Sequence, residues 1–222
     1  MSRPFEIHLP LELAYRRSVL FAIEVLDAVT LGRVSQGVKV NATGLKGLPI
    51  VNAGGLFVWL REDSTALQKV SIEPGVLPLE SVELSAADVQ MPLSIVELAP
   101  RSDYPFPSGI AGIRASLVEH RVTPPARPQP VPNAEVRLTW LDDDGVTWHD
   151  SPTRSHTSAR GDFAAILRFA RADVPSLDSD GALRIRLRVM RDGQTELGTA
   201  AFALPQGRVA DAPTYAWDEL QP

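Results

Sequence analysis

The side chains best equipped for chemistry in this 222-residue sequence are concentrated in one stretch. Asp142-Asp143-Asp144-Gly145 strings carboxylates together, and His149, Asp150 and His156 follow it. Calcium takes about six to eight oxygens on a flexible loop, but this run lacks the alternate-residue acidic pattern and the distal Glu of an EF-hand. It reads as a solvated hairpin turn. His149 and His156, joined by the distant His120, could approach zinc, yet no third ligand has a fixed spacing to them. No metal and no cofactor is expected.

Nucleophilic catalysis has even less to work with. Cysteine is absent, so there is no thiolate nucleophile or metal ligand and no disulfide framework. No Gly-x-Ser-x-Gly elbow exposes a serine, and no Gly-rich loop feeds a helix to cradle phosphate. The sequence therefore offers no catalytic residue, and a non-enzyme is expected. A small hydrolase relying on His149 or His156 is the remaining enzymatic reading. Trp59, Trp140, Trp148 and Trp217 could stack on sugars, although strand aromatics usually belong to a core. Trp148 and Trp217 stand in polar surroundings, and with Phe5 and Tyr215 they are the candidate contacts to a partner. Arg184, Arg186 and Arg188 alternate with aliphatics and read as a charged face that guards a sheet against edge association.

The elements that must position these residues are strands. A composition of 44% apolar and 22% charged residues is that of a folded globular chain. The net charge of -5 comes with no Lys/Arg cluster, so nucleic acid is not an expected partner. The apolar run Ser18 to Leu26 is broken by Glu24 and closed by Asp27, unlike a signal peptide. No stretch reaches the roughly 18 continuous apolar residues of a membrane span, and a cytoplasmic location without membrane insertion is expected.

Short alternating runs recur with turn signals about every ten residues, the mark of an antiparallel sandwich. Residues 1–17 read as an N-terminal arm, with Phe5, Ile7 and Leu9 alternating before Pro10 and a helical turn allowed from Leu11 to Arg17. Residues 18–99 form a first β-sandwich. Its strands are Ser18 to Leu26, the Val38/Val40 run, Leu56 to Leu60 (apolar on both faces and hence central), the Val70/Ile72 and Val82/Leu84 runs, and Val89 to Leu98, where Pro92 demands an edge or a bulge. Glu62-Asp63-Ser64 is a hairpin loop. Residues 100–109 are a stiff Pro-rich linker, and residues 110–204 a second sandwich whose cleanest strand is Leu183 to Val189. A Pro-rich spacer, Thr123 to Pro132, reads as a connecting loop between its sheets, with a recognition segment for another protein as the alternative. Residues 205–222 remain as an extended tail with no strand partner to assign.

An arrangement appears twice: a strand, a spacer, and a Gly-containing turn feeding an apolar strand. The second copy runs from Pro132-Asn133-Ala134-Glu135-Val136 to Thr157-Ser158-Ala159-Arg160-Gly161-Asp162-Phe163. The first runs from Gln36-Gly37-Val38 to Asn52-Ala53-Gly54-Gly55-Leu56-Phe57. Gly54, Gly55 and Gly161 are the expected turn residues, with Phe163 delivered into the core two residues later. These motifs resemble the transthyretin-like, or carboxypeptidase regulatory-like, sandwich domains. The resemblance covers about a quarter of the chain and implies two tandem Ig-like/transthyretin-like Greek-key sandwiches, with no activity attached.

The expected function is that of a structural or adaptor protein touching other protein subunits through its two ends. A component of a phage-tail-like or contractile injection particle would reconcile sandwich modules with a cysteine-free chain that shows no export signal. The alternative is a carbohydrate-binding or cell-surface module.

Overall fold

The computed structural model describes residues 18–61, 66–122 and 127–222. The expected arm with Phe5, the Glu62-Asp63-Ser64 loop and the middle of the Pro-rich spacer lie outside the described residues.

The described chain is all-β and forms two pairs of sheets. In the first pair the strands are β1 (Val19–Asp27), β2 (Lys39–Thr43), β3 (Ile50–Val51), β4 (Phe57–Leu60), β5 (Lys69–Glu73), β6 (Val82–Ser85) and β7 (Leu93–Leu98). They assemble as β3-β4-β1-β7 facing β2-β5-β6. The second pair comprises β8 (Gly112–Val118), β9 (Glu135–Leu141), β10 (Trp148–Asp150), β11 (Ser155–His156), β12 (Asp162–Ile166), β13 (Leu183–Met190), β14 (Leu197–Gly198), β15 (Phe202–Leu204), β16 (Val209–Asp211) and β17 (Tyr215–Ala216). Here β12-β8-β16 faces β10-β9-β13-β14, with β11 on β9, β15 on β13 and β17 on β8.

The two halves share one connectivity. In each, the opening strand (β1 or β8) lies between an antiparallel neighbour (β4 or β12) and a parallel one from the end of the unit (β7 or β16). The second strand of each unit pairs with the strand that follows the central turn, β2 with β5 and β9 with β13. This is the structural form of the sequence repeat.

Alternation fills each core. Phe21, Ile23 and Val25 of β1 point inward, and the Phe21 and Trp59 rings stack at 4.7 Å and 7°. In the second unit Val136, Leu138 and Trp140 meet Leu183, Ile185, Leu187 and Val189 in one cluster with Phe163. Burying such side chains is worth about 1.5–3 kcal/mol each and is the main force closing the sandwiches. The Asp142–Gly145 turn joins β9 to β10 with Trp148 opposite Leu141, the expected hairpin. The described end of the Pro-rich spacer crosses between sheets, with Val131 buried and its N–H donating to Leu117 O at 3.0 Å.

Three expectations are corrected. Residues 205–222 are not a tail beyond the second sandwich. β16 and β17 run parallel along β8, and Gly198 and Gln221 exchange backbone hydrogen bonds at 2.6 and 2.9 Å. The unit needs this strand because β8 would otherwise be an open edge. The pairing is also not uniformly antiparallel, since β7, β16 and β17 all run parallel to their partners. Finally, Leu56 to Leu60 is not covered on both sides: Phe57 and Trp59 are buried, while Val58 and Leu60 lie on a half-open outer face.

Candidate functional site

Apart from His156, the seam between the sandwiches is built from residues the sequence did not single out. Tyr104 and Phe106, in the segment between β7 and β8, pack into the first core. Tyr104 is 7% exposed, and its hydroxyl donates to Asp27 Oδ2 at 2.5 Å. Burial, reinforced by the Asp27 carboxylate, pushes its phenol well above the usual tyrosine range. Arg114 of β8 donates to Tyr104 O at 2.5 Å and lays its guanidinium over Phe106, 4.9 Å from the ring centre. Ile166, at the end of β12, joins the first core, and beyond it Arg168 pairs with Glu97 of β7. Glu80, between β5 and β6, binds His156 of β11.

A cleft of about 880 Å³ opens over this seam, with Glu80 and His156 among its walls together with Glu83, Glu135, Arg101 and Arg160. Its charges are mixed, and among the described residues no three His, Asp or Glu side chains converge as a metal site would require.

The second surface is the outer face of the β3-β4-β1-β7 sheet. Ile50 lies opposite Val58, Val58 opposite Ala22 and Ala22 opposite Leu93, so one apolar row crosses all four strands on the side away from the core. Ile95 continues it on β7, opposite Glu24. Ile50 is 51% exposed and Ile95 59%. β7 is the edge of the sheet among the described residues.

The corresponding face of the second sandwich is polar. There the row across β12, β8 and β16 reads Ala164, Arg114, Asp211, and in the neighbouring row the Ser116 hydroxyl donates to Asp162 at 2.8 Å. Where that face turns apolar, at Ile166, it is covered by the first sandwich. Among these equivalent positions, the apolar row of the first sandwich is exposed at its two ends, Ile50 and Leu93, with Val58 half-buried and Ala22 buried between them. Sequence carried a signal for it: Leu93-Ser94-Ile95-Val96-Glu97-Leu98 puts apolar residues on both faces of what Pro92 had marked as an edge strand.

The sequence-selected residues fall into separate places. Gly161 turns with φ +80°, Gly55 also with φ +80°, and Gly54 precedes it without positive φ. Phe163 is buried in the second core. Trp148 is half-buried, with the Arg186 guanidinium 3.9 Å from its ring centre, and Trp217 is capped the same way by Arg191 at 4.3 Å. Tyr215 and Trp217 pack, partly buried, against their own core.

The three histidines among the described residues are dispersed, each on its own carboxylate: His120 on Asp218, His149 on Asp142 and His156 on Glu80. Asp144 spends its side chain on the turn, accepting from the N–H groups of Val146 and Thr147 and from the Thr147 hydroxyl. These bonds hold its carboxyl below the usual range.

No protein-family model matches the chain, and no curated protein matches it. Among solved structures it is similar to the Bacillus anthracis TIE protein, with 12% identity over 89% of this chain and a TM-score of 0.27. The chain spans only 34% of that protein. It is also similar to the shaft pilin SpaA from Lactobacillus rhamnosus GG, with 8% identity, 90% of this chain and 97% of that one covered, and a TM-score of 0.26. At these scores neither likeness transfers a fold or a role.

Proposed function

We propose that this is a non-enzymatic structural or adaptor protein that works through contacts with other protein subunits, using the outer face of the β3-β4-β1-β7 sheet. The carrying observation is the apolar row from Ile50 to Leu93, exposed at Ile50, Leu93 and the adjoining Ile95, while the equivalent row of the repeat carries Arg114 and Asp211. Exposed apolar patches rimmed by polar groups mark contact sites. The seam supports this reading, because two sandwiches tied through Tyr104, Arg114 and Glu80 present their surfaces as one spacer.

The shared connectivity of the halves supports the tandem-sandwich reading. A phage-tail-like or contractile particle is the finer reading, supported by the cysteine-free composition and by analogy of module type. The glycan reading is weakened because Trp148 and Trp217 each already have a guanidinium on one face. The hydrolase reading is weakened because each of the three histidines discussed binds a separate carboxylate.

Photo-crosslinking in the native cell tests this. A photoreactive residue at Ile95 or Ile50 is expected to capture a protein, and one at the exposed Arg184, on β13 of the second sandwich, is not. No capture from Ile50, Leu93 or Ile95 would overturn the assignment of the contact face.

A further inference from the structure

We propose that the outer face of β13 holds a small oxyanion, a phosphate or carboxylate group, between Arg186 and Arg188. The site lies on the second sandwich and is independent of the contact face proposed above.

The alternation of β13 sends Arg184, Arg186 and Arg188 to the side away from the core. On an edge strand such charges would guard against association, but β13 is an inner strand, with β9 on one side and β14 and β15 on the other. There is no open edge here to guard. The register creates a charge conflict instead: Arg188 lies directly opposite Arg137 of β9, and like charges in that position destabilise a sheet. Arg137 is compensated by two carboxylates, Asp150 at 2.5 Å and Glu196 at 2.7 Å. Among the described residues Arg186 and Arg188 form no ion pair, whereas Arg33 sits on Glu24, Arg168 on Glu97 and Arg191 on Glu119.

Packing holds both guanidinium groups in place without neutralising them. Arg186 lies over the Trp148 ring, 3.9 Å from its centre. Arg188 lies across Gly198 of β14, where an added Cβ would come within 2.9 Å of its Cδ and 3.0 Å of its Nη1. Both side chains are half-buried, and a planar fork fixed in this way loses little further freedom when it binds.

The strand opposite β13 breaks between Gly198 and Phe202, where β14 ends and β15 begins. A cleft of about 340 Å³ lies at this break, with Arg186, Arg188, Thr199, Ala200 and Gln221 among its walls. Thr199 Oγ1 accepts the Leu187 N–H at 3.1 Å, which leaves its own proton to donate. Two guanidinium forks and a hydroxyl proton form a set of donors, suited to the oxygens of a phosphate or carboxylate. The positive region is also short. Asp150 and Glu196 flank it at Arg137, and the whole chain carries -5. A long polyanion such as nucleic acid would meet those carboxylates, while a single anionic group between the two arginines would not.

Isothermal titration of the full chain at fixed ionic strength, with inorganic phosphate and with succinate as probes, tests the site. One-to-one binding of at least one probe is expected, weakened about tenfold or more in Arg186→Gln and in Arg188→Gln through the loss of charge-assisted hydrogen bonds. Arg184→Gln, two residues along the same strand but outside the cleft, is expected to bind as the parent does. Where a Gln variant does not fold, the Lys variant at the same position keeps the charge and is expected to bind more weakly than the parent, because it lacks the guanidinium fork. Tighter binding of phosphate assigns the site to phosphate compounds and tighter binding of succinate to carboxylates, and either supports it. No binding of either probe overturns the proposal. An equal loss in all three Gln variants, the mark of general charge, also overturns it, as does unchanged binding in Arg186→Gln and Arg188→Gln.

Discussion

Glu80 holds His156 through both backbone and ring: the His156 N–H donates to its two oxygens at 2.8 and 3.0 Å, and the imidazole Nδ1 lies 3.1 Å from Oε2. One carboxylate from the first sandwich thus receives the edge of a strand in the second. The hydrogen bond to Glu80 raises the His156 pKa above its ordinary 6.5, against the lowering effect of burial, with smaller help from the Glu80, Glu135 and Asp192 charges.

This fixes a pH dependence. A histidine whose folded pKa is raised contributes stability that is fully present below its unfolded value of about 6.5 and is lost as pH rises through the raised value. Thermal melts of the protein are therefore expected to weaken above about pH 6.5, and to do so less in Glu80→Gln. Glu80→Ala removes charge-assisted bonds worth about 1.5–3 kcal/mol. Identical pH profiles for the protein and Glu80→Gln would remove this contact from any role in the seam.

Gly161 is held by conformation and by space. It sits at φ +80°, and an added Cβ would lie 2.3 Å from the backbone oxygen of Leu117. Gly161→Val is expected to cost about 3 kcal/mol or more, combining left-handed strain with a clash that β8 cannot relieve without moving. Gly145 is the control: its φ is +69° but nothing lies within 4 Å, so Gly145→Ala costs only the strain, about 1 kcal/mol. Equal losses in urea melts of the two variants would show that the approach to Leu117 is unimportant.

How far the sequence could be read depended on whether a feature was local. Leu183 to Val189 alternates without interruption and became β13, and the Gly161-x-Phe163 turn delivered its aromatic to the core. Sandwich class and repeat follow from such local signals. Pairing partners do not: Val209 to Asp211 has no distinctive alternation and becomes a strand only because β8 supplies the other half of its hydrogen bonds. The seam was hidden for the same reason. Glu80 and His156, or Asp27 and Tyr104, are separated by 76 and 77 residues, and no spacing rule links them. The apolar outer face was half visible in Leu93 and Ile95, but seeing it as a row required the registers of β3, β4 and β1.

Tyr104→Phe isolates one bond of the seam. The ring stays in the first core, while the Asp27 carboxylate keeps its bond from the Val29 N–H at 2.8 Å and loses the one from the phenol. A loss of about 1.5–3 kcal/mol is expected, as for hydrogen bonds to charged groups. A variant as stable as the parent in urea melts would mean that solvent replaces the phenol at Asp27 without cost.

Trp217 distinguishes an internal closing strand from a free tail. Its ring packs on the second core, lies under Arg191 at 4.3 Å, and follows the β17 pairing of Tyr215 with Leu117 and Ala216 with Val118. Asp218 then meets His120 Nδ1 at 2.8 Å, so the end of the chain clasps the end of β8. A fully buried Trp→Ala costs about 3–5 kcal/mol, and this half-buried ring is expected to cost about 2. At about 2–4 °C per kcal/mol for a chain of this size, the melting temperature falls by about 4–8 °C. A free tail used only for partner contacts would show no such fall, so an unchanged melting temperature in Trp217→Ala would return residues 209–217 to that role.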